Sequence, residues 1–211
     1  MRPNYGSVMI RTLLAAALLA APAALLPSPV AAQASGDLGL VQQHLLGMQS
    51  MTAAFVQTDR AGRTLTGTLT LKKPGRIRFQ YEKGVPILIV ADGGSLWFID
   101  YSVGQKQRWP IKDSPLGILI DPDRNLSRFA HVVPGGDPRV VSVEASDPRH
   151  PEYGRITLVF ARDPAAPAGL MLQGWVALDS QGNRTTIRLS GQHFNVPVGN
   201  NSFRFNDPLR R

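Results

Sequence analysis

The chain has 211 residues, no cysteine and a formal net charge of +8. The absence of cysteine excludes disulfides, a cysteine nucleophile and a lipidated N-terminal cysteine. The positive charge is compatible with nucleic acid, with an anionic membrane surface, or with a solvated basic surface that has no partner.

The N-terminal segment has the three parts of a secretory signal peptide. Two arginines precede the apolar run of residues 12–26, and Ala32-Gln33-Ala34 is a small-residue cleavage site. The run is short for a bilayer, which needs ~20 residues, so a retained anchor helix is the weaker alternative. We predict that residues 1–34 are a cleaved signal peptide and that residues 35–211 form one exported domain with a net charge of +6.

Residues 37–50 predict the first helix of this domain, with Asp37 as a plausible cap. His44 lies beside Leu45 on this helix and is interpreted as a surface or helix-edge residue. It is not a predicted metal ligand, because no second histidine stands at metal-ligand spacing. The apolar positions at helical spacing are Leu38, Val41, Leu45 and Met48.

The hydrophobic period then changes to two, which is typical of half-buried antiparallel strands. In residues 64–71, threonines alternate with apolar residues, and in residues 76–81 basic or amide side chains alternate with Ile77, Phe79 and Tyr81. Further strands are predicted at 87–92, 95–100, 105–111, 139–145, 156–161, 170–179, 184–194 and 201–205.

One segment, residues 114–134, interrupts the strands and predicts two short helices with a break at Asp121-Pro122. The whole pattern predicts a mainly β protein with a strongly twisted sheet or open barrel, whose apolar face is covered by helices.

The sequence contains no nucleophile elbow, phosphate-binding loop or dinucleotide fingerprint. Asp92 is interpreted as the cap of a turn at 93–94 and not as a base. We therefore predict no catalytic residue, no metal site and no cofactor. A secreted hydrolase with a site built from widely separated residues is the remaining enzyme hypothesis. By pattern alone, the apolar strand faces favour an ordinary core over a ligand cavity.

Five segments, in their order and spacing, carry a family resemblance: Phe55-x-Gln57, G-x-L-x-L-K-K-P-G-R-I-R-F at 67–79, D-G-x-x-L-W-F at 92–98, SPLGILI at 114–120 and NVP…FRF at 195–205. Together they resemble the LolA family of periplasmic carriers of outer-membrane lipoproteins, over nearly the whole domain.

The resemblance implies a half-open antiparallel β-barrel, covered by the N-terminal helix and a short helical lid, around a hydrophobic cavity for acyl chains. The lid residues would be Leu116, Leu119 and Ile120. The residues expected to line the cavity are Phe55, Leu69, Leu71, Ile77, Phe79, Tyr81, Leu88, Val90, Leu96 and Phe98.

The resemblance also implies a function without catalysis. A monomeric periplasmic carrier would take lipoproteins from an inner-membrane release transporter and pass them to an outer-membrane acceptor, without nucleic acid as a partner. A lipid-binding or envelope-stress sensor domain of the same fold is the alternative. Lys73 stands where the family has an arginine, so a rim or latch role there would lack the bidentate guanidinium. The chain ends at NDPLRR, so we also expect it to lack the longer C-terminal extension of some members.

Overall fold

A computed structural model describes residues 29–111, 116–120 and 125–209. Most of the predicted signal peptide, residues 1–28, and the predicted helix break at Asp121-Pro122 lie outside the described residues. The cleavage after Ala34 therefore stays a prediction.

The N-terminal helix, α1, spans Pro29–Gly47. Asp37 lies inside this helix and pairs with Arg162 at 2.5 Å, so its predicted role as the cap is wrong. Val41 and Leu45 are buried, as their spacing predicts. Within the described residues, no helix combines the length and apolar character that a membrane span requires.

In the part of the chain that the structure describes, eleven strands follow the helix and form one antiparallel sheet. Their bounds are β1 Ser50–Thr58, β2 Thr64–Lys72, β3 Arg76–Tyr81, β4 Ile87–Asp92, β5 Ser95–Asp100, β6 Gln105–Pro110, β7 Ala130–Val133, β8 Val140–Ser146, β9 Arg155–Arg162, β10 Leu170–Leu178 and β11 Arg184–Phe194.

The sheet is curved and unclosed. Its strand order is β6-β5-β4-β3-β2-β1-β11-β10-β9-β8-β7, so β6 and β7 are its edges among the described residues. The register shifts in β1 between Thr52 and Ala54, and in β10 between Leu172 and Gly174. Such bulges bend a strand and increase its twist. The predicted half-open antiparallel barrel with helical cover is confirmed.

Short helices occur where the strand pattern is interrupted. Helix α2 spans Gly117–Ile120, and a 3-10 helix spans Leu126–Arg128, capped by the Asn125 side chain. Two predictions are wrong. Ala130 begins a strand and does not continue the second helix, and the final strand predicted at 201–205 is replaced by a 3-10 helix at Asn200–Phe203.

The two faces of the sheet bury different sets of residues. The inner face packs against α1 and α2 in the large core, and α1 contacts β7, β8 and β10. The outer face of β4 and β5 is covered by the C-terminal segment, residues 195–209, in a smaller cluster. That cluster consists of Leu88, Val90, Ile99 and Phe203, with Trp97, Val198 and Phe205 packed against it.

Candidate functional site

The candidate site is the inner face of strands β1–β5. Alternation and register place eight of the ten predicted cavity residues on this one face. Phe79, for example, lies between Leu69 of β2 and Ile89 of β4, and Ile89 pairs with Phe98 of β5. These eight residues are Phe55, Leu69, Leu71, Ile77, Phe79, Tyr81, Leu96 and Phe98.

Leu88 and Val90 lie on the opposite face of the sheet, in the cluster with Ile99 and Phe203. The prediction that Leu88 and Val90 line the cavity together with Phe79 is therefore wrong. Strand β4 is apolar on both faces, so alternation does not identify the inward residues. The inward residues of this strand are Ile87, Ile89 and Ala91, which belong to or pack against the large core.

An aromatic cluster occupies the middle of the inner face. The ring of Phe55 lies edge-on to Phe79 at 5.4 Å and to Tyr81 at 5.2 Å between centroids. Phe79 also meets Trp175 of β10 edge-on at 6.1 Å. The Tyr81 hydroxyl donates to Gln57 Oε1 at 2.7 Å, and burial raises the pKa of Tyr81 to about 12. The phenol therefore remains a neutral donor.

Trp175 was missed in the sequence. Its strand, "LMLQGWVAL", is apolar on both faces, so alternation does not show which residues point inward. The only indication of a role for Trp175 was that it is an aromatic residue in a predicted strand. The register with Ile187 and Leu158 places it on the inner face, opposite Phe79. The cluster therefore links the two halves of the sheet.

Gly67 allows the aromatic cluster to form. A Cβ at this position would lie 2.2 Å from the backbone oxygen of Gln80 and 2.8 Å from Phe55 Cε1. The ring of Phe55 therefore occupies the space that a side chain at position 67 would need.

We expect Gly67→Ala to lower the free energy of unfolding by about 3 kcal/mol, because backbone and ring must both shift. Chemical denaturation with an unchanged m-value would measure this. Gly62→Ala is not a matched control, since Gly62 has a positive φ. Thr68→Ala changes an exposed neighbour and should have little effect. A small effect for Gly67→Ala would contradict the close packing.

Residues 116–120, the described part of the predicted lid segment 114–120, pack against this face in the large core. Ile118, Leu119 and Ile120 are buried, and Leu116 packs against the core. The Gly75 amide donates to the Ile120 carbonyl at 2.9 Å and joins the lid to the β2–β3 turn. Gly75 has a φ of 72°, and a Cβ there would lie 2.9 Å from Gly93 Cα, so a side chain would disturb this junction.

Lys73 lies in the same turn and is 7% exposed. Its ammonium donates to the Leu45 carbonyl, in the last turn of α1. A cation at this position also complements the negative end of the helix dipole. Lys73 lines an open groove of about 720 Å³, together with Lys72 and residues 195–199. The turn therefore connects to both the lid and α1.

His44 is fully buried, so its interpretation as a surface or helix-edge residue is wrong. Its Nδ1 lies 3.0 Å from the Pro167 carbonyl oxygen, and its ring meets Phe160 and Phe194 edge-on. Burial lowers the pKa of His44, and the nearby Lys73 charge lowers it further. A neutral imidazole therefore packs as a core side chain beneath α1.

Asp92 caps its turn as predicted. Its Oδ1 accepts hydrogen bonds from the amides of Gly94 and Ser95, and its Oδ2 accepts one from Trp97 Nε1. Across the part of the chain that the structure describes, no three side chains of metal-ligating type come together.

Comparison with known proteins gives a consistent family. A profile described as "Outer membrane lipoprotein carrier protein LolA" matches residues 47–206. An outer-membrane lipoprotein carrier protein of Xylella fastidiosa is 29% identical over 86% of this chain and 88% of its own length. An outer-membrane lipoprotein carrier protein of Neisseria meningitidis serogroup B is 26% identical over 85% of this chain and 87% of its own length.

A solved LolA superfamily protein from Nitrosomonas europaea has a TM-score of 0.47 at 12% identity, and the match covers 82% of this chain and 97% of the other. The sequence matches, and not this structural likeness, carry the family assignment.

Proposed function

Because the chain belongs to the LolA family of outer-membrane lipoprotein carrier proteins, we propose that it binds lipoprotein acyl chains on the inner face of its sheet. It takes them from an inner-membrane release transporter and passes them to an outer-membrane acceptor. It acts in the periplasm, after removal of residues 1–34, as a monomer and without nucleic acid. The family is one of carriers, so the chain is not an enzyme.

The observation that carries this proposal is the apolar inner face with a separate cover. Phe55, Phe79 and Trp175 form an aromatic cluster that is buried in this structure, and the lid residues are as apolar as the wall they cover. Burial of an acyl chain stabilises it by roughly 0.8 kcal/mol per methylene. Such a surface therefore suits a ligand made of methylenes.

The lid must move for cargo to enter. In this structure, Leu119 and Ile120 occupy part of the inner face and are themselves buried. An acyl chain would replace their contacts with its own, so loading exchanges one apolar contact for another. Exchange of this kind keeps binding reversible, which a carrier requires.

The proposal is tested by mass spectrometry of organic and peptide extracts from protein isolated from its native periplasm. Acylated lipoprotein in the extract would support it. Phospholipid alone would indicate a carrier for another lipid, and an empty protein, under conditions that retain cargo on a known carrier, would contradict it.

We expect Lys73→Leu to reduce transfer to the acceptor and to cost about 1–3 kcal/mol of stability, because the Leu45 carbonyl loses a charged donor. Lys73→Arg keeps a charged donor at this position and gives it a planar, bidentate guanidinium. We expect this variant to hold the lid closed more tightly than the parent protein does, with little change in global stability.

Lys83→Leu is the matched control, since Lys83 is exposed in the β3–β4 turn and the change in net charge is the same. A lipoprotein-release and transfer assay measures the effect of each variant on function, and thermal melts measure its effect on stability. Unchanged loading and transfer in both Lys73 variants would mean that Lys73 is structural only.

A further inference from the structure

One corner of the molecule exposes apolar side chains that the proposed carrier function does not use. Val103, in the β5–β6 hairpin tip at residues 101–104, is 70% exposed, and Leu209 is 67% exposed. Tyr101 of the same tip is also exposed. Most large apolar residues are buried in a folded domain, and a local group of exposed ones suggests a contact surface.

The hairpin tip and the end of the C-terminal segment are adjacent. The Tyr101 hydroxyl donates to the Asn206 carbonyl at 3.2 Å. A Cβ placed at Gly104 would lie 4.0 Å from the Pro208 carbonyl oxygen. Val103 and Leu209 therefore project from neighbouring parts of one surface, which we call the apolar corner.

A basic hollow of about 330 Å³ adjoins the apolar corner. It is lined by Arg78, Tyr101, Arg204, Phe205 and Asn206. Arg78 donates to the backbone carbonyls of Ser202 and Arg204 and to Gln80 Oε1, all of which are neutral acceptors. Its partial burial lowers the pKa of its guanidinium.

Neither arginine is neutralised by a carboxylate among the described residues, where no ion pair includes Arg78 or Arg204. The nearby Asp207 pairs with Lys106 at 2.6 Å. Arg108 of β6 lies over the ring of Trp97 in the neighbouring strand β5, 5.6 Å from the ring centroid, and donates to Ser95 Oγ. The positive charge beside the apolar corner is therefore concentrated at Arg78 and Arg204 in the hollow, whereas the Asp100 carboxylate lies at the base of the hairpin tip and accepts hydrogen bonds from Ser102.

We propose that this corner docks on the surface of an anionic phospholipid bilayer. Arg204 contacts lipid phosphates through its exposed guanidinium group, and the charge of Arg78 adds attraction from within the hollow, while Val103 and Leu209 enter the boundary between headgroups and acyl chains. The inference goes beyond the proposed carrier function and does not depend on cargo binding.

The combination of features favours a bilayer over other anionic partners. Guanidinium groups match phosphate oxygens in geometry and charge. Free phosphate or a nucleic-acid backbone would use the arginines but leave the adjacent apolar residues in water. A bilayer uses both, since binding strength there scales with inserted apolar area and with attraction to anionic lipids.

The test is co-sedimentation of the exported protein with vesicles of phosphatidylcholine, alone or with a third of phosphatidylglycerol. We expect binding to the anionic vesicles only, weakened by salt. Arg204→Glu changes the charge by two and should weaken binding about 30-fold, since each charge near the surface contributes about 1 kcal/mol. Val103→Asp should weaken it at least about tenfold, because an aspartate cannot enter the boundary.

Two matched controls test whether binding depends on the apolar corner and not on charge or apolar exposure elsewhere. Arg184→Glu makes the same charge change in the exposed β10–β11 hairpin, and Val140→Asp places the same carboxylate at another exposed valine. The proposal requires that both controls bind like the parent protein. It is overturned if the controls weaken binding as much as the test variants, or if anionic vesicles do not bind. It is also overturned if inorganic phosphate shifts the NMR signals of this corner while vesicles do not.

Discussion

Phe79→Glu is expected to abolish retention of acyl cargo while the sheet remains folded. Phe79 lies at the centre of the aromatic cluster, between Phe55 and Trp175. A carboxylate there costs several kcal/mol if it stays dry. If the inner face is a container with a movable cover, water enters when the lid opens and solvates the charge. Acyl chains then lose their binding surface.

Circular dichroism shows whether Phe79→Glu remains folded, and a lipoprotein-release assay shows whether it still retains acyl cargo. Phe160→Glu is the matched control, because Phe160 is equally apolar and buried but packs beneath α1, against His44. We expect the control to unfold, since the whole stability of a domain is only about 5–15 kcal/mol. Unfolding of Phe79→Glu as well would indicate an ordinary core.

Leu119→Asp is expected to hold the lid open without unfolding the sheet. Burial of a leucine contributes about 2 kcal/mol, and the new charge adds a desolvation cost if the lid closes. Together these terms shift the closed-to-open equilibrium by at least roughly a hundredfold. The apolar inner face then becomes accessible, and a fluorescent apolar dye should bind far more strongly than to the parent protein.

The control for the lid variant is Leu158→Asp, at a fully buried position on β9. It should unfold the protein, because no separate element can release that side chain to water. A melting temperature of Leu119→Asp as low as that of Leu158→Asp would contradict a separable lid.

The fold could be predicted because most strands alternate clearly. In β2 and β3, threonines and arginines mark the outer face, so the inward residues were correct. The bounds of β3 were also correct, and the predicted end of β2 was one residue short of Lys72. The order of the five family segments then indicated the half-open barrel. Alternation also gave Phe79 and Tyr81, and the family resemblance gave Phe55. The structure brings these three residues together on one face.

The errors have identifiable physical causes. Strand β4 is apolar on both faces because the C-terminal segment covers its outer side, so Leu88 and Val90 were placed on the wrong face. His44 was misjudged because its partner, the Pro167 carbonyl, is distant in sequence. The link from Lys73 to Leu45 likewise depends on tertiary contact, which no local pattern encodes.

The proposed carrier function requires that the lid opens while the rest of the inner face stays closed. The chain contains no cysteine, so a single cysteine at position 119 or 158 is a unique probe. Leu119 and Leu158 are both 0% exposed, so static burial alone does not distinguish them. Local opening requires less free energy than global unfolding.

The decisive measurement is the rate at which a thiol reagent labels Leu119→Cys and Leu158→Cys under native conditions. We predict that the cysteine at position 119 reacts roughly a hundredfold faster, because local opening of the lid should cost about 3 kcal/mol less than global unfolding. Equal rates, both matching the rate of global unfolding, would show that residues 116–120 belong to a fixed core and would contradict a lid that opens on its own.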